Sequence, residues 1–188
     1  MTAFILASSS PRRLALLKQI GLTPARVIAT DIDETPYDGE VPKALALRLA
    51  REKAIAAVEP DEVVLAADTV VGCGRRILPK AESETDVRYC LDLLSGRAHL
   101  VVTGVAVAHR GVIRARAVST RVKFKRLTDE EKRSYIDSGE WRGKAGGYGI
   151  QGRAERFVLS INGSYSAIVG LPLYETAGLL LHAGIAAP

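Results

Sequence analysis

The 188-residue chain offers little thiol or imidazole chemistry. Its cysteines, Cys73 and Cys90, are isolated, forming neither a C-x-x-C pair nor a disulfide framework, which fits a reducing compartment. Its histidines, His99, His109 and His182, are scattered, so zinc-ligand spacing is absent. Aromatic residues make up only 5% of the chain and no long Lys/Arg run occurs, so a net charge of +5 does not describe a nucleic-acid-binding face. No stretch approaches the ~20 apolar residues of a membrane span. No basic leader precedes the short apolar run near the N-terminus, which excludes a signal peptide. G-x-x-x-x-G-K-[ST] is missing, as is G-x-G-x-x-G in a strand–helix context. What these absences leave is a cytoplasmic protein that engages neither membrane nor nucleic acid. At this length it is one domain or two tightly joined lobes, and 47% hydrophobic residues suffice for a sizeable core.

The most informative stretch is Ile5-Leu6-Ala7-Ser8-Ser9-Ser10-Pro11-Arg12-Arg13-Leu14. A strand-type run, Phe4–Ala7, leads through three serines to Pro11 and an apolar helical pattern at Leu14, Leu17 and Ile20. Ser10 suits the N-cap and Pro11 the first helical position. Arg12 and Arg13 then occupy the first turn, where the helix dipole disfavours cations by roughly 0.3–1 kcal/mol each. A bound anion reverses that sign, because free N–H groups, the hydroxyls of Ser8 and Ser10 and two guanidiniums together suit a phosphate. An ordinary capped helix with two solvated arginines is the competing reading.

The pattern continues as alternating elements. Gly21 stops the first helix, and Arg26–Ala29 reads as a strand. An acidic cluster, Asp31-Ile32-Asp33-Glu34-Thr35, precedes a helix that Pro42 opens and that Pro60 and Asp61 break. Val63–Ala67 is a continuous apolar run, typical of a strand buried on both faces, ending in Asp68-Thr69. Cys73-Gly74-Arg75 turns the chain into Ile77-Leu78. Thr85–Leu94 is a helix. His99–Ala108 and Val112–Lys125 form a hairpin across Arg110-Gly111, and Thr128–Glu131 is a capping box. Gly139–Gly152 is too glycine-rich for a regular element. Phe157–Ile161 is a strand, Asn162–Tyr165 a turn, and Pro172 starts the last helix. The fold class is α/β with a mixed sheet.

Among residues able to do chemistry, Asp68 stands out, placed at the end of a central strand, where open α/β sheets put their ligand sites. A carboxylate there holds a magnesium ion or takes a proton from water; the competing role is a turn cap. Lys53 and Lys80 read, in isolation, as an exposed helix lysine and a loop lysine, although Lys80 follows Ile77-Leu78-Pro79 at a strand end, where a lysine can reach into a cleft. Glu34 belongs to a carboxylate cluster that is either solvated or contributes oxygen to a divalent cation. The glycine-rich segment is either a surface turn or a backbone wall close to a ligand, with Lys144 supplying charge and Gln151 offering a donor and an acceptor to a uracil or thymine edge. His99 has no partner at useful spacing and reads as structural.

Taken in order, Leu6–Arg13, Arg51-Glu52-Lys53-Ala54, Ala67–Val71, Leu94–His99, Lys144–Gly152, Ile161–Tyr165 and Val169–Pro172 resemble the Maf family of nucleoside triphosphate pyrophosphatases over nearly the whole chain. The Gly-Tyr-Gly-Ile-Gln-Gly form is similar to the branch acting on dTTP and UTP. The resemblance implies an elongated mixed β-sheet flanked by helices, with two lobes about a central cleft (Maf/ITPase-like), in a family often dimeric, and a single domain over residues 1–188. It implies hydrolysis between the α- and β-phosphates with a divalent cation, Mg2+ or Mn2+. The family's proton acceptor falls on Asp68, and its specificity positions fall on Arg12, Thr69 and Gln151. Lys53, Lys80 and Glu34 match positions around the phosphates and metal, with Glu34 and Asp68 as the metal carboxylates. A regulatory nucleotide-binding protein without turnover is the alternative, against which stands a base that binding alone does not need. Around Lys80 the chain departs from the family, with Pro79 and Ala81 where Gly and Pro are frequent, and Gly143 stands where many members carry Asp.

Overall fold

The structure, a computed structural model, describes residues 3–59 and 61–188; the helix break expected at Pro60 lies outside them. The elements in chain order are β1 (Phe4–Ala7), α1 (Pro11–Gln19), β2 (Arg26–Ile28), α2 (Pro42–Ala56), β3 (Val63–Cys73), β4 (Arg76–Leu78), β5 (Lys80–Ala81), α3 (Glu84–Leu94), β6 (Ala98–His109), β7 (Val112–Phe124), α4 (Asp129–Asp137), β8 (Lys144–Ala145), β9 (Val158–Asn162), α5 (Tyr165–Val169) and α6 (Leu173–His182), with a 3-10 turn at Arg153–Phe157 before β9. Among the described residues no helix is long and apolar enough to cross a membrane.

The main sheet has the order β2-β1-β3-β6-β7-β9, with β4 pairing the far end of β3. β1 runs parallel to β2 and β3, and the other pairs are antiparallel, so the sheet is mixed. Alternation along β3 assigns its faces. Val63, Leu65, Ala67 and Val71 join the larger core beneath α1, α3, α4 and α6, whereas Val64, Ala66 and Val70 meet α2. That second layer is tight because its residues are small. A Cβ added at Gly104 of β6 would lie 2.1 Å from the Ala46 carbonyl oxygen, so only glycine lets α2 settle this closely on the sheet.

Local signals hold where the chemistry is local. Arg110 and Gly111 both take positive φ, 48° and 74°, as a two-residue hairpin turn requires. Thr128 and Glu131 form the expected capping box, and Ser83 with Asp86 forms another that starts α3 at Glu84. Two elements differ from expectation. β3 does not end at Asp68-Thr69 but runs on to Cys73, because its second half pairs with β4 and β6. The turn expected at Asn162–Tyr165 begins a short helix, α5, capped by Ser164 through the Ala167 N–H.

Candidate active site

Asp68 sits in mid-strand, and this corrects its expected position at a strand end. The placement keeps the same physical logic. β1 pairs with β3 only as far as Ala7↔Ala66, and β4 resumes on that edge at Val71. Residues 67–70 therefore have one open edge, just beyond the carboxyl end of the parallel strand β1, where such sheets bind ligands. A cleft of about 320 Å³ opens there, lined by the Ser8–Arg13 turn, β3, β5, β8, the glycine-rich segment and the end of α5. All eleven residues singled out from the sequence line it: Ser8, Ser10, Arg12, Arg13, Glu34, Lys53, Asp68, Thr69, Lys80, Lys144 and Gln151.

Asp68 points to the α2 face, and Lys53 comes down from α2 to meet it. Lys53 is not the exposed lysine its isolated context suggests; it is 7% exposed, and Asp68 3%. Its Nζ lies 2.5 Å from Asp68 Oδ1 and 2.7 Å from Glu34 Oε1. Glu34 Oε2 accepts from Lys80 Nζ. Burial opposes the Glu34 charge, but the hydrogen bonds from Lys53 and Lys80 outweigh it and hold the carboxyl below its ordinary range. Of the acidic cluster only Glu34 reaches the cleft. Asp33 instead accepts from the Thr35 N–H at 2.9 Å. Asp68 Oδ2 has no protein donor among the described residues.

The opening turn is organised by Ser8 rather than by Ser10. Ser10 occupies the N-cap of α1 but makes no side-chain cap. Ser8 Oγ accepts from the Ser10 N–H at 3.2 Å and from Arg13 Nη1 at 2.8 Å. Arg13 Nε donates to the Gly170 carbonyl at 2.9 Å, tying α1 to α5. Arg12 has no carboxylate partner among the described residues, and burial lowers its pKa. Arg13 is likewise lowered by burial, with nearby Asp68 acting in the opposite sense.

Thr69, on the opposite face of β3 from Asp68, shares a 2.9 Å hydrogen bond with Thr103, which donates to the Ala167 carbonyl at 2.7 Å. Sequence reading missed both Thr103 and the Gly170 carbonyl, since neither residue type signals such a contact. Pro79, Ala81 and Gly143, the departures from the family pattern, meet in one small sheet. β5 pairs with β8, the Gly143 N–H donates to the Ala81 carbonyl at 3.0 Å, and the Gly146 N–H donates to Pro79 at 3.0 Å. Regular structure therefore exists in the glycine-rich segment, two residues long. Lys144 donates to the Glu140 carbonyl, and burial followed by the proximity of Arg12 lowers its pKa. Gln151 is exposed at the cleft rim. Behind this wall, buried His99 bonds Tyr148 Oη at 2.8 Å through Nε2, while its Nδ1 has no partner among the described residues. Burial lowers the His99 pKa to about 4.

A divalent cation would find two carboxylates here, Glu34 and Asp68, within one polar cleft. Among the described residues no set of three or more His, Cys, Asp or Glu side chains forms a metal site. Lys53 and Lys80 already engage both Glu34 oxygens and Asp68 Oδ1. A cation here would share these carboxylates with the lysines and take its remaining oxygens from substrate phosphates, as Mg2+ held by one or two carboxylates does, rather than sit in an all-protein cage.

Comparison with known proteins gives a consistent answer. The chain is 61% identical to the dTTP/UTP pyrophosphatase of Caulobacter vibrioides over 181 residues, covering 95% of this chain and 94% of that protein. It is 63% identical to the protein of the same description from Hyphomonas neptunium, covering 94% and 93%. For that of Maricaulis maris the identity is 60%, covering 96% and 88%. A family model described as Maf-like protein matches residues 3–183, and with the cleft built from that family's motifs the chain belongs to the Maf family.

Proposed function

We propose that this chain hydrolyses dTTP and UTP between the α- and β-phosphates, releasing the nucleoside monophosphate and pyrophosphate. The observation that carries the reading is the cleft's composition: a buried carboxylate at an open sheet edge, surrounded by Arg12, Arg13, Lys53, Lys80 and Lys144. Its close relatives carry the same activity in their descriptions. Five cations against Glu34 and Asp68 leave a positive surplus, which suits the ~4 negative charges of a triphosphate.

In the mechanism, Lys53 holds Asp68 by Oδ1 and leaves Oδ2 to take a proton from water. The water oxygen bonds to the α-phosphorus as the bridging bond to the β-phosphate breaks, in line with the attack. Lys80 and the arginines offset charge on the departing pyrophosphate, so positioning and electrostatics supply most of the rate. Thr69 and Gln151 face the base, and a glutamine amide matches the adjacent N–H and C=O of a pyrimidine edge. Glu34, with Asp68 sharing the Oδ1 that Lys53 also engages, would hold Mg2+ or Mn2+, leaving Oδ2 as the base. That ion supplies charge neutralisation and Lewis acidity. The reading carries with it the cytoplasm, with its nucleotide pool, and the dimer that the family resemblance implies.

The test is pyrophosphate release from a panel of nucleoside triphosphates, with Mg2+, with Mn2+ and with chelator. Preferential release from dTTP and UTP, lost with chelator, is expected. Orthophosphate as the sole product, or no turnover of either pyrimidine nucleotide, overturns the reading.

A further inference from the structure

Segment 30–40 delivers Glu34 to the cleft without any regular structure of its own. Among the described residues, every hydrogen bond tying it to the rest of the molecule comes from Arg48, Lys53 or Lys80. The two lysines grip Glu34 itself. Arg48 lies outside the cleft, on α2, and grips the remainder. Its Nε and Nη2 take the two Glu40 carboxylate oxygens at 2.9 and 2.8 Å. The same Nη2 donates to the Thr35 carbonyl at 3.0 Å, next in the chain to Glu34. The guanidinium carbon lies 3.9 Å from the Tyr37 ring centroid, and Nη1 reaches back to Glu52 at 3.1 Å.

We propose that Arg48 is a positioning residue for the reaction, presenting Glu34 to Lys53 and Lys80 by clamping residues 35–40 onto α2. The inference rests on the proposed role of Glu34. Its geometry is specific. The fork matches a carboxylate in two parallel bonds, which lysine cannot reproduce. Arg48 and Lys53 stand five positions apart on one helix, so the residue that sets the segment and the residue that receives its carboxylate share a rigid mount. Without the clamp, Glu34 is held only through its own carboxylate, and segment 35–40 regains the freedom that ordering removed.

The test compares wild type, Arg48→Ala, Arg48→Lys, Glu34→Gln and each Arg48 variant combined with Glu34→Gln. Two readouts are taken: kcat/KM for dTTP in Mg2+, and calorimetric Kd for the α,β-imido analogue of dUTP with and without Mg2+. Circular dichroism confirms folding, and Arg48→Lys carries the test if Arg48→Ala does not fold. The clamp predicts that either Arg48 variant weakens Mg2+-dependent analogue binding and turnover by roughly 10- to 100-fold. In the Glu34→Gln background neither variant adds a further loss. Additive losses overturn the proposal and leave the role of Glu34 standing. An unimpaired Glu34→Gln enzyme overturns the reading of Glu34, and the clamp's purpose with it. Arg48→Lys that lowers only the melting temperature makes Arg48 a purely structural residue.

Discussion

On the serine side of the cleft, side chains do the holding. Ser8 Oγ fixes Arg13, Arg13 fixes the Gly170 carbonyl, and the turn is anchored between a buried strand and a helix. On the glycine side, the backbone itself comes close to its neighbours. A Cβ at Gly146 would lie 2.8 Å from Val71 Cγ1, one at Gly149 2.8 Å from Lys144 Cε, and one at Gly152 2.1 Å from Glu140 Oε2. In the proposed reading the first wall would meet a ligand mainly with charge, the second with shape, the single ammonium of Lys144 and the Gln151 amide. Under the proposed function the contrast is a division of labour: charge would serve any triphosphate, whereas a closely fitted backbone with one two-way hydrogen-bonding side chain would discriminate between bases.

The largest expected effect belongs to the residue between the walls. Asp68→Asn should lower kcat by roughly 10²–10⁴-fold for every nucleotide and leave its circular dichroism unchanged. Near-normal turnover would remove Asp68 as the base. Next comes a pH effect seated behind the glycine wall. His99 is buried and neutral, with a pKa of about 4 against 6.5 for the free side chain. Between these values the unfolded chain binds the extra proton. Stability is therefore full above about pH 6.5 and is lost as pH falls towards 4, by about 3 kcal/mol. Urea unfolding across that range checks this, and His99→Gln should flatten the profile there.

Gly146→Ala follows, at roughly 1–3 kcal/mol, since it combines φ of +66° with a contact against a β-branched core side chain. Its melting temperature should fall, and dTTP/UTP preference should weaken more than overall turnover. The smallest effect is Gln151→Ala. Loss of about 1 kcal/mol of hydrogen bonding lowers kcat/KM for dTTP about fivefold, while kcat/KM for a purine triphosphate stays unchanged. Equal losses for both nucleotides would erase the contrast between the walls.

Much of this arrangement was legible in the chain because its signals are short-range. The Ser-Pro-Arg-Arg turn, the capping box at Thr128 and the Arg110-Gly111 hairpin each depend on residues within a few positions. Membership of the cleft was legible through the ordered motifs. What could not be read is which group holds which. Lys53 looks like any helix lysine until α2 lies across β3. Ser8 rather than Ser10 organises the turn together with Arg13, whose other contact, Gly170, lies 157 positions away. The strand continues through Asp68-Thr69 because β6 supplies partners from far along the chain, and no local pattern encodes that pairing. Helix α5 is five residues long, too short for periodicity to show.

Gly104 is the direct cross-strand neighbour of Asp68 and lies under Ala46 of α2. Seven residues further along that helix, about 10 Å at 1.5 Å per residue, stands Lys53. The helix behaves as a lever with its fulcrum at a missing methyl group. Any side chain at position 104 would lift the arm and draw the ammonium away from the carboxylate. A residue outside the cleft lining thus gauges the separation of the two groups that the proposed mechanism uses for proton transfer. Mutational tolerance at position 104 should accordingly resemble that of a reacting residue rather than that of a core glycine.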